Sequence, residues 1–185
     1  MDTNGILPAV SQLLLWFANQ LSLVTPHSRL FRLRRFAFVL AGAKIHPNAK
    51  IAGTVRIHHS NVQIGDSWIG PGTQLMAGPE ATIVIGDRCG FAPDVIISCH
   101  SHELGNSDRR VGKGITAPIR IGDGTWIGIR ATIVYGASVG AGCVVAAGSV
   151  VKDEFGDDVI VAGIPARVVR ELPRSRGVEP GQTVW

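Results

Sequence analysis

Charged residues are scarce in this chain: Asp, Glu, Lys and Arg make up only 17% of its 185 residues. Disordered chains are usually rich in charge, whereas 45% of the residues here are hydrophobic, which excludes that class. The net charge of +4 is mild, and we predict no nucleic-acid partner. A chain of this length can bury one core, so the composition predicts one folded domain.

Cysteine is equally scarce. Cys89, Cys99 and Cys143 have no metal-type spacing, and their odd number argues against a disulfide framework. No basic segment followed by an apolar core and a small-residue cleavage site marks a signal peptide. The apolar run near the amino terminus is interrupted by Asn19 and Gln20, which argues against a membrane span. These absences predict a cytoplasmic protein.

The sequence does contain a repeat of six residues. From residue 121 onward every sixth residue is aliphatic: Ile121, Ile127, Ile133, Val139, Val145 and Val151. The fourth residue after these positions is small: Thr125, Ala131, Ala137, Cys143 and Ser149. The same register occurs upstream: Ile45, Ile51, Ile57, Ile64, Ile85, Phe91 and Ile97. Neither a helix, with its period of 3.6, nor a simple alternating strand gives a period of six.

A period of six fits a short strand followed by a turn. Three such units make a triangular coil of about eighteen residues, and coils stack at the roughly 4.8 Å spacing of neighbouring strands. The aliphatic residues then point inward, and the small residues lie where the chain turns a corner. We therefore predict an all-β solenoid, a parallel β-helix of hexapeptide repeats, over residues 45–155.

The two ends of the chain do not follow the repeat. Residues 1–44 contain two helical patterns separated by Pro26 and include a cluster of four arginines between Arg29 and Arg35. They are interpreted as a helical cap on the solenoid, with peripheral contact at the inner face of a membrane as the open alternative. We predict a strand and a short helix over residues 156–173, capping the last coil, and a flexible tail over 174–185.

The repeat is also interrupted in the middle, and we predict a loop extruded at about residues 99–118. This loop carries His100, His102 and Glu103. Loops that project from a rigid scaffold often carry function. Histidine can accept a proton near neutral pH, and a carboxylate can orient it, so the cluster predicts general-base chemistry.

The stretches "VIGDRCGFAPDVIISCHSHE", "APIRIGDGTWIGIRATIVYGASVGAGCVVAAGSVV" and "VAGIPARVVREL" resemble the hexapeptide-repeat acyltransferases. Their fold is a left-handed β-helix, and the resemblance is to the galactoside, maltose and colanic acid O-acetyltransferase branch. It covers roughly Ile64 to Leu172 and implies a homotrimer that binds acetyl-CoA between subunits, with no metal. It also implies an O-acetyltransferase acting by direct transfer on a sugar hydroxyl. The amino terminus is more similar to the polysaccharide-assembly enzymes, which implies an acceptor in a cell-surface polysaccharide or its precursor.

The resemblance also implies roles for individual residues. His102 matches the general base, with Glu103 beside it, and His100 is either the alternative base or a support for the loop. Glu80 aligns with an acidic residue that touches the sugar in some relatives, although Gly72 replaces their asparagine. Positions that match the acetyl-CoA site are Trp126, Ile129, Ala147, Gly148, Lys152, Arg167 and Arg170. Ile129 replaces a serine often found there.

Other functions remain open at this stage. A γ-type carbonic anhydrase would need three histidines around zinc, which His58, His59, His100 and His102 could supply. That family lacks the paired "WIG" and "GIPA" motifs. A non-catalytic trimeric scaffold would show the same repeat. Acetyltransferases for serine, amino sugars or antibiotics are the rivals among enzymes.

Overall fold

The computed structural model describes residues 3–173, with side chains from residue 9 onward. The chain begins with two helices, α1 (Thr3–Val24) and α2 (Phe31–Leu40), which pack on each other and on the first coil. Among the described residues, neither helix is long and apolar enough to cross a bilayer. The predicted tail, 174–185, lies outside the described residues.

The rest of the chain winds into three sheets, named A, B and C in chain order, whose strands are parallel except for the last strand of sheet B. Sheet A contains β1 (Lys44–Ile45), β4 (Val62–Ile64), β7 (Ile83–Ile85), β12 (Ile119–Ile121), β15 (Ser138–Val139) and β18 (Glu154–Phe155). Sheet B contains β2 (Lys50–Ile51), β5 (Trp68–Ile69), β8 (Gly90–Phe91), β13 (Trp126–Ile127), β16 (Val144–Val145), β19 (Val159–Gly163) and β20 (Ala166–Glu171). Sheet C contains β3 (Arg56–Ile57), β6 (Gln74–Met76), β9 (Ile96–Ser98), β14 (Thr132–Val134) and β17 (Val150–Val151). The remaining strands, β10 (His100–Leu104) and β11 (Val111–Thr116), form a separate hairpin.

The residues of the six-residue repeat form the core. Strands of successive coils pair in register, so that Ile127 lies opposite both Phe91 and Val145. Every aliphatic position of the predicted register is buried, as expected for residues that point into a solenoid and stack on their counterparts. The predicted β-helix with amino-terminal helices is therefore confirmed.

The small residues predicted at the corners also connect the coils. We name each corner by the sheets it joins: A–B, B–C and C–A. At the A–B corner, a side chain of each of four coils donates a hydrogen bond to a glycine carbonyl of the next coil. The pairs are Ser67 with Gly86 (2.7 Å), Cys89 with Gly122 (3.2 Å), Thr125 with Gly140 (2.8 Å) and Cys143 with Gly156 (3.1 Å). These residues thus fit a crowded turn and provide a donor for a backbone carbonyl of the next coil at the same time.

The carboxyl-terminal cap differs from the prediction. β19 closes sheet B, and β20 folds back on it as an antiparallel strand after a turn that contains the cis Ile164–Pro165 bond. The predicted short helix is therefore wrong. β20 covers the last edge of the sheet and pairs backbone groups that a helix would leave open. Val168 and Val169 are β-branched and suit a strand.

One of the four clustered arginines does not belong to a solvated face. Arg34 is fully buried, and its guanidinium donates to the Ile51 carbonyl (2.9 Å), the Thr25 hydroxyl (2.8 Å) and the Pro26 carbonyl (3.1 Å). It also donates to the carbonyls of His27 and Arg29. Burial lowers the pKa of Arg34. This side chain therefore fastens the connection between α1 and α2 to the first coil.

We expect Arg34→Ala to lower the free energy of unfolding by about 3 kcal/mol, because the buried Ile51 carbonyl and four partly buried acceptors lose their donor. Arg34→Lys should recover only part of this, since an ammonium lacks the planar fork that reaches all five acceptors. Urea unfolding measures the difference, with the exposed Arg32→Ala as the control. Equal stability of the Arg34→Ala and Arg32→Ala proteins would contradict this role.

Candidate active site

Extra residues collect at one edge of the solenoid. In the regular repeat, the aliphatic positions on either side of a corner are six residues apart. At the C–A corner this spacing grows to seven residues between Ile57 and Ile64 and to ten between Leu75 and Ile85. From Ile97 to Ile121 they are twenty-four apart. Each gap lies between a strand of sheet C and the next strand of sheet A. Because coils stack, the three inserted segments lie beside one another.

The longest insertion is the β10–β11 hairpin. His100 lies opposite Thr116 and His102 opposite Gly114, and the pairing becomes irregular between His102 and Leu104. The predicted extruded segment thus contains regular antiparallel structure. A hairpin paired along its length holds its side chains more firmly than an irregular loop would.

His100 joins the hairpin to the preceding coil. Its ring Nε2 lies 3.2 Å from the Ala77 carbonyl oxygen. A carbonyl only accepts, so Nε2 carries the hydrogen in this contact. The ring passes so close to Gly78 that a Cβ there would stand 2.9 Å from its Cε1 atom, which explains the glycine. His100 therefore anchors the base of the hairpin.

His102 has a different environment. It is exposed, and its Nε2 lies 3.9 Å from the point where a Cβ on Gly114 would stand. Across the described part of the chain, no side-chain hydrogen bond reaches its ring, and the Glu103 carboxylate likewise makes none. The pairing is irregular just after His102, and within the described residues no hydrogen bond joins the His102 ring to the Glu103 carboxylate of the predicted pair. The His102 ring is accessible to a substrate.

The second insertion carries Glu80, which is exposed. Its loop is held from both sides: His100 contacts Ala77, and the Asn61 amide donates to the carbonyls of Gly78 (2.9 Å) and Pro79 (2.8 Å). The structure therefore brings the Glu80 loop and the histidine hairpin to the same corner. Sequence reasoning missed Asn61, although the seven-residue spacing from Ile57 to Ile64 marks its position.

His59 also lies at this corner, and the sequence suggested it only as a possible zinc ligand. Its Nδ1 accepts a hydrogen bond from the Asn61 backbone N–H (3.1 Å). Burial lowers the pKa of His59, and the nearby charge of His100 lowers it further. His59 therefore favours the neutral form at neutral pH. Within the described residues, no group of three or more His, Cys, Asp or Glu side chains is placed to hold a metal ion.

Four of the residues matched to the acetyl-CoA site lie on sheet B and the B–C corner. The Gly148 N–H donates to the Ile129 carbonyl (2.8 Å), which joins two successive turns. Ala147 and Gly148 are exposed, and open space surrounds Gly148. Trp126 is 37% exposed on the outer face of β13. These four residues, which we call the wall, thus lie on neighbouring coils, with Trp126 on sheet B and the other three at the B–C corner.

The predicted basic residues are only partly brought together. Lys152 Nζ lies 3.0 Å and Arg167 Nη1 2.9 Å from the two oxygens of Asp153. The hydrogen bond from Lys152 is the main cause that lowers the pKa of Asp153, with Arg167 contributing less. Arg170 lies opposite Ile160 further along β20 and takes no part in these ion pairs. Two exposed cations thus share one carboxylate.

The predicted base and the predicted wall for acetyl-CoA lie at different corners. His102 extends from the C–A corner, whereas Ile129, Ala147 and Gly148 lie at the B–C corner. A triangular solenoid keeps its corners apart, so one chain does not bring the two groups together. A complete site would need a second copy of the chain beside the first.

Comparisons with known proteins agree with this architecture. The family described as "Hexapeptide repeat of succinyl-transferase" matches residues 118–152. The galactoside O-acetyltransferase of Escherichia coli (strain K12) is 34% identical over 113 residues, which are 61% of this chain and 55% of that protein. The chain thus spans about half the length of that relative.

Two further similarities extend over more of the chain. A solved galactoside acetyltransferase in complex with coenzyme A superposes with a TM-score of 0.76 at 26% identity, covering 94% of this chain and 84% of that one. A putative colanic acid biosynthesis acetyltransferase of Escherichia coli (strain K12) is 30% identical over 160 residues, 85% of each chain. This chain is a member of the hexapeptide-repeat acetyltransferase family.

Proposed function

We propose that this protein transfers the acetyl group of acetyl-CoA to a sugar hydroxyl, with His102 as the general base. The observation that carries the proposal is the hairpin itself. It holds an accessible imidazole on a rigid corner directly beside the Glu80 loop. Relatives and solved neighbours with the same fold are named as sugar acetyltransferases, one of them in complex with coenzyme A.

The chemistry follows from this placement. A sugar hydroxyl becomes a good nucleophile when a base accepts its proton in the transition state. The hydroxyl oxygen would bond to the thioester carbon, and the proton would move to His102. Collapse of the tetrahedral intermediate would release the CoA sulfur, which takes up a proton as the thiol. Holding both substrates in one site removes most of the entropic barrier to their encounter.

The geometry favours His102 over His100 as the base. The Nε2 of His100 is engaged by the Ala77 carbonyl, so His100 is proposed to support the hairpin. Glu103 follows His102 directly in β10 and makes no side-chain hydrogen bond within the described residues, so it is proposed as a residue that borders the acceptor.

The acetyl-CoA site is proposed to form between copies of the chain in a homotrimer. Trp126, Ile129, Ala147 and Gly148 of one copy would line the pantetheine arm and face His102 of a neighbour. Lys152 and Arg167 lie near one another and would exchange Asp153 for the CoA phosphates, which bind cations strongly. Arg170 is placed with them by the family resemblance.

The acceptor is proposed to be a sugar of a cell-surface polysaccharide or its precursor, because a relative that matches 85% of each chain is named as a putative colanic acid biosynthesis acetyltransferase. The test is acetyl-CoA turnover across a panel of sugars, lipid-linked glycans, serine and antibiotics. Turnover with a glycan supports the proposal. No turnover with any acceptor, together with no binding of acetyl-CoA, would favour a non-catalytic scaffold.

Released CoA can be followed by its free thiol. All three cysteines of the protein are buried, and burial raises the pKa of Cys89 and Cys143 and that of Cys99 to about 11. The reactive thiolate is therefore rare at neutral pH in the folded protein. A thiol reagent should report CoA without a background from the enzyme.

A further inference from the structure

The charge of this protein is divided unevenly along the chain. Residues 1–65 contain seven Lys and Arg and one Asp or Glu, a net charge of +6, whereas residues 66–185 contain eleven and thirteen, a net charge of −2. No acidic residue occurs between positions 3 and 65. The helices α1 and α2, which we call the helical cap, lie inside this basic part.

The helical cap is apolar on its outer side as well as on its inner side. Leu15, Ala18 and Ser22 are buried on the inner face of α1. Leu13, Phe17 and Val24 follow one another at helical spacing on another face, and all three are exposed. A helix that only covered a core would be polar on its outer face, so this pattern indicates a second contact.

The helix α2 also has an exposed apolar face. Leu33, Phe36 and Leu40 are exposed at spacings of three and four residues, which places them on one side of the helix. In the described part of the chain, ten of the eighteen exposed large hydrophobic side chains lie between residues 10 and 40. Such a concentration marks an interaction surface rather than scattered exposure.

Basic groups border this apolar surface. A cavity of about 610 Å³ between α2 and the first coil is lined by Phe31, Arg32, Arg35 and Lys50, among others. The Nε atom of Arg35 is buried without a hydrogen-bond partner in the described structure. Guanidinium groups bind phosphate oxygens well. The border of the surface therefore suits phosphate-bearing groups.

We propose that the helical cap docks on the surface of an anionic phospholipid bilayer, with its apolar face at the level of the headgroups and its arginines on the phosphates. Exposed Trp and Phe beside Arg on helices are the features that bind this kind of surface. A second copy of the cap fits less well, because two surfaces without acidic residues would repel each other. The proposal does not depend on acetyl transfer.

Flotation of the full chain with vesicles tests the proposal. We expect binding to phosphatidylcholine vesicles that contain roughly 30 mol% phosphatidylglycerol, and little binding to phosphatidylcholine alone. We expect binding to weaken roughly tenfold or more in each of two double variants, Trp16→Gln/Phe17→Gln and Arg32→Gln/Arg35→Gln. Added salt should weaken the binding of the wild-type protein.

Two matched pairs serve as controls. Val168→Gln/Val169→Gln removes exposed apolar side chains on β20, and Arg88→Gln/Arg130→Gln removes two exposed charges from the solenoid; both should bind as the wild type does. Thermal unfolding would confirm that every variant folds. Equal binding to both kinds of vesicle, or binding to neither, would overturn the proposal. So would a change of oligomeric state, seen by light scattering, in the cap variants alone.

Discussion

Replacement of His102 by alanine should lower kcat for acetyl transfer about 10²–10⁴-fold, the range that a positioned general base contributes. The KM for acetyl-CoA should change little, because the proposed wall for the cofactor lies on a different corner. The His102 ring accepts no side-chain hydrogen bond within the described residues, so its loss should leave stability and oligomeric state unchanged. Steady-state kinetics, thermal unfolding and light scattering measure the three quantities.

Two other histidines provide the comparison. His100→Ala should lower kcat less than His102→Ala and should also destabilise the hairpin, because the contact with Ala77 is lost. His46→Ala, an exposed histidine of the first coil, should behave as the wild type. If His100→Ala abolished turnover and His102→Ala did not, the assignment of the base would be wrong.

The solenoid could be predicted from sequence because its physical cause is periodic. Each buried aliphatic residue must repeat every sixth position to stack on the next coil, so a position such as Ile127 is marked by all of its counterparts. The carboxyl-terminal hairpin has no such counterpart. Its second strand exists because β19 presents an open edge, and that is a property of the folded sheet.

The candidate site likewise contains features that could be predicted from the sequence and features that depend on the folded structure. The place of His102 on an extruded segment could be predicted because that segment interrupts the repeat. The contacts of Asn61 could not, because they depend on two carbonyls seventeen and eighteen residues away. The buried position of Arg34 could not be predicted because it belongs to a cluster of four arginines that look alike in sequence, and only the packing of α2 on the first coil distinguishes it from them. A contact that occurs at only one place in the solenoid does not repeat every six residues, so no periodic pattern in the sequence marks it.

The second prediction with a large effect on activity follows from the placement of His102 and the proposed acetyl-CoA residues at different corners. Ala147→Trp places a bulky ring on the exposed B–C corner, where the pantetheine is proposed to lie, and should abolish turnover as His102→Ala does. If the site forms between copies, trimers refolded from an equal mixture of the two inactive proteins should recover activity. A site then needs an intact base from one copy and an intact wall from its neighbour, which random assembly provides in about a quarter of the sites.

A mixture of His102→Ala with His102→Gln, treated in the same way, should stay inactive. Inactivity of the first mixture, with trimers formed and exchanged, would instead place the base and the wall of each site on one chain.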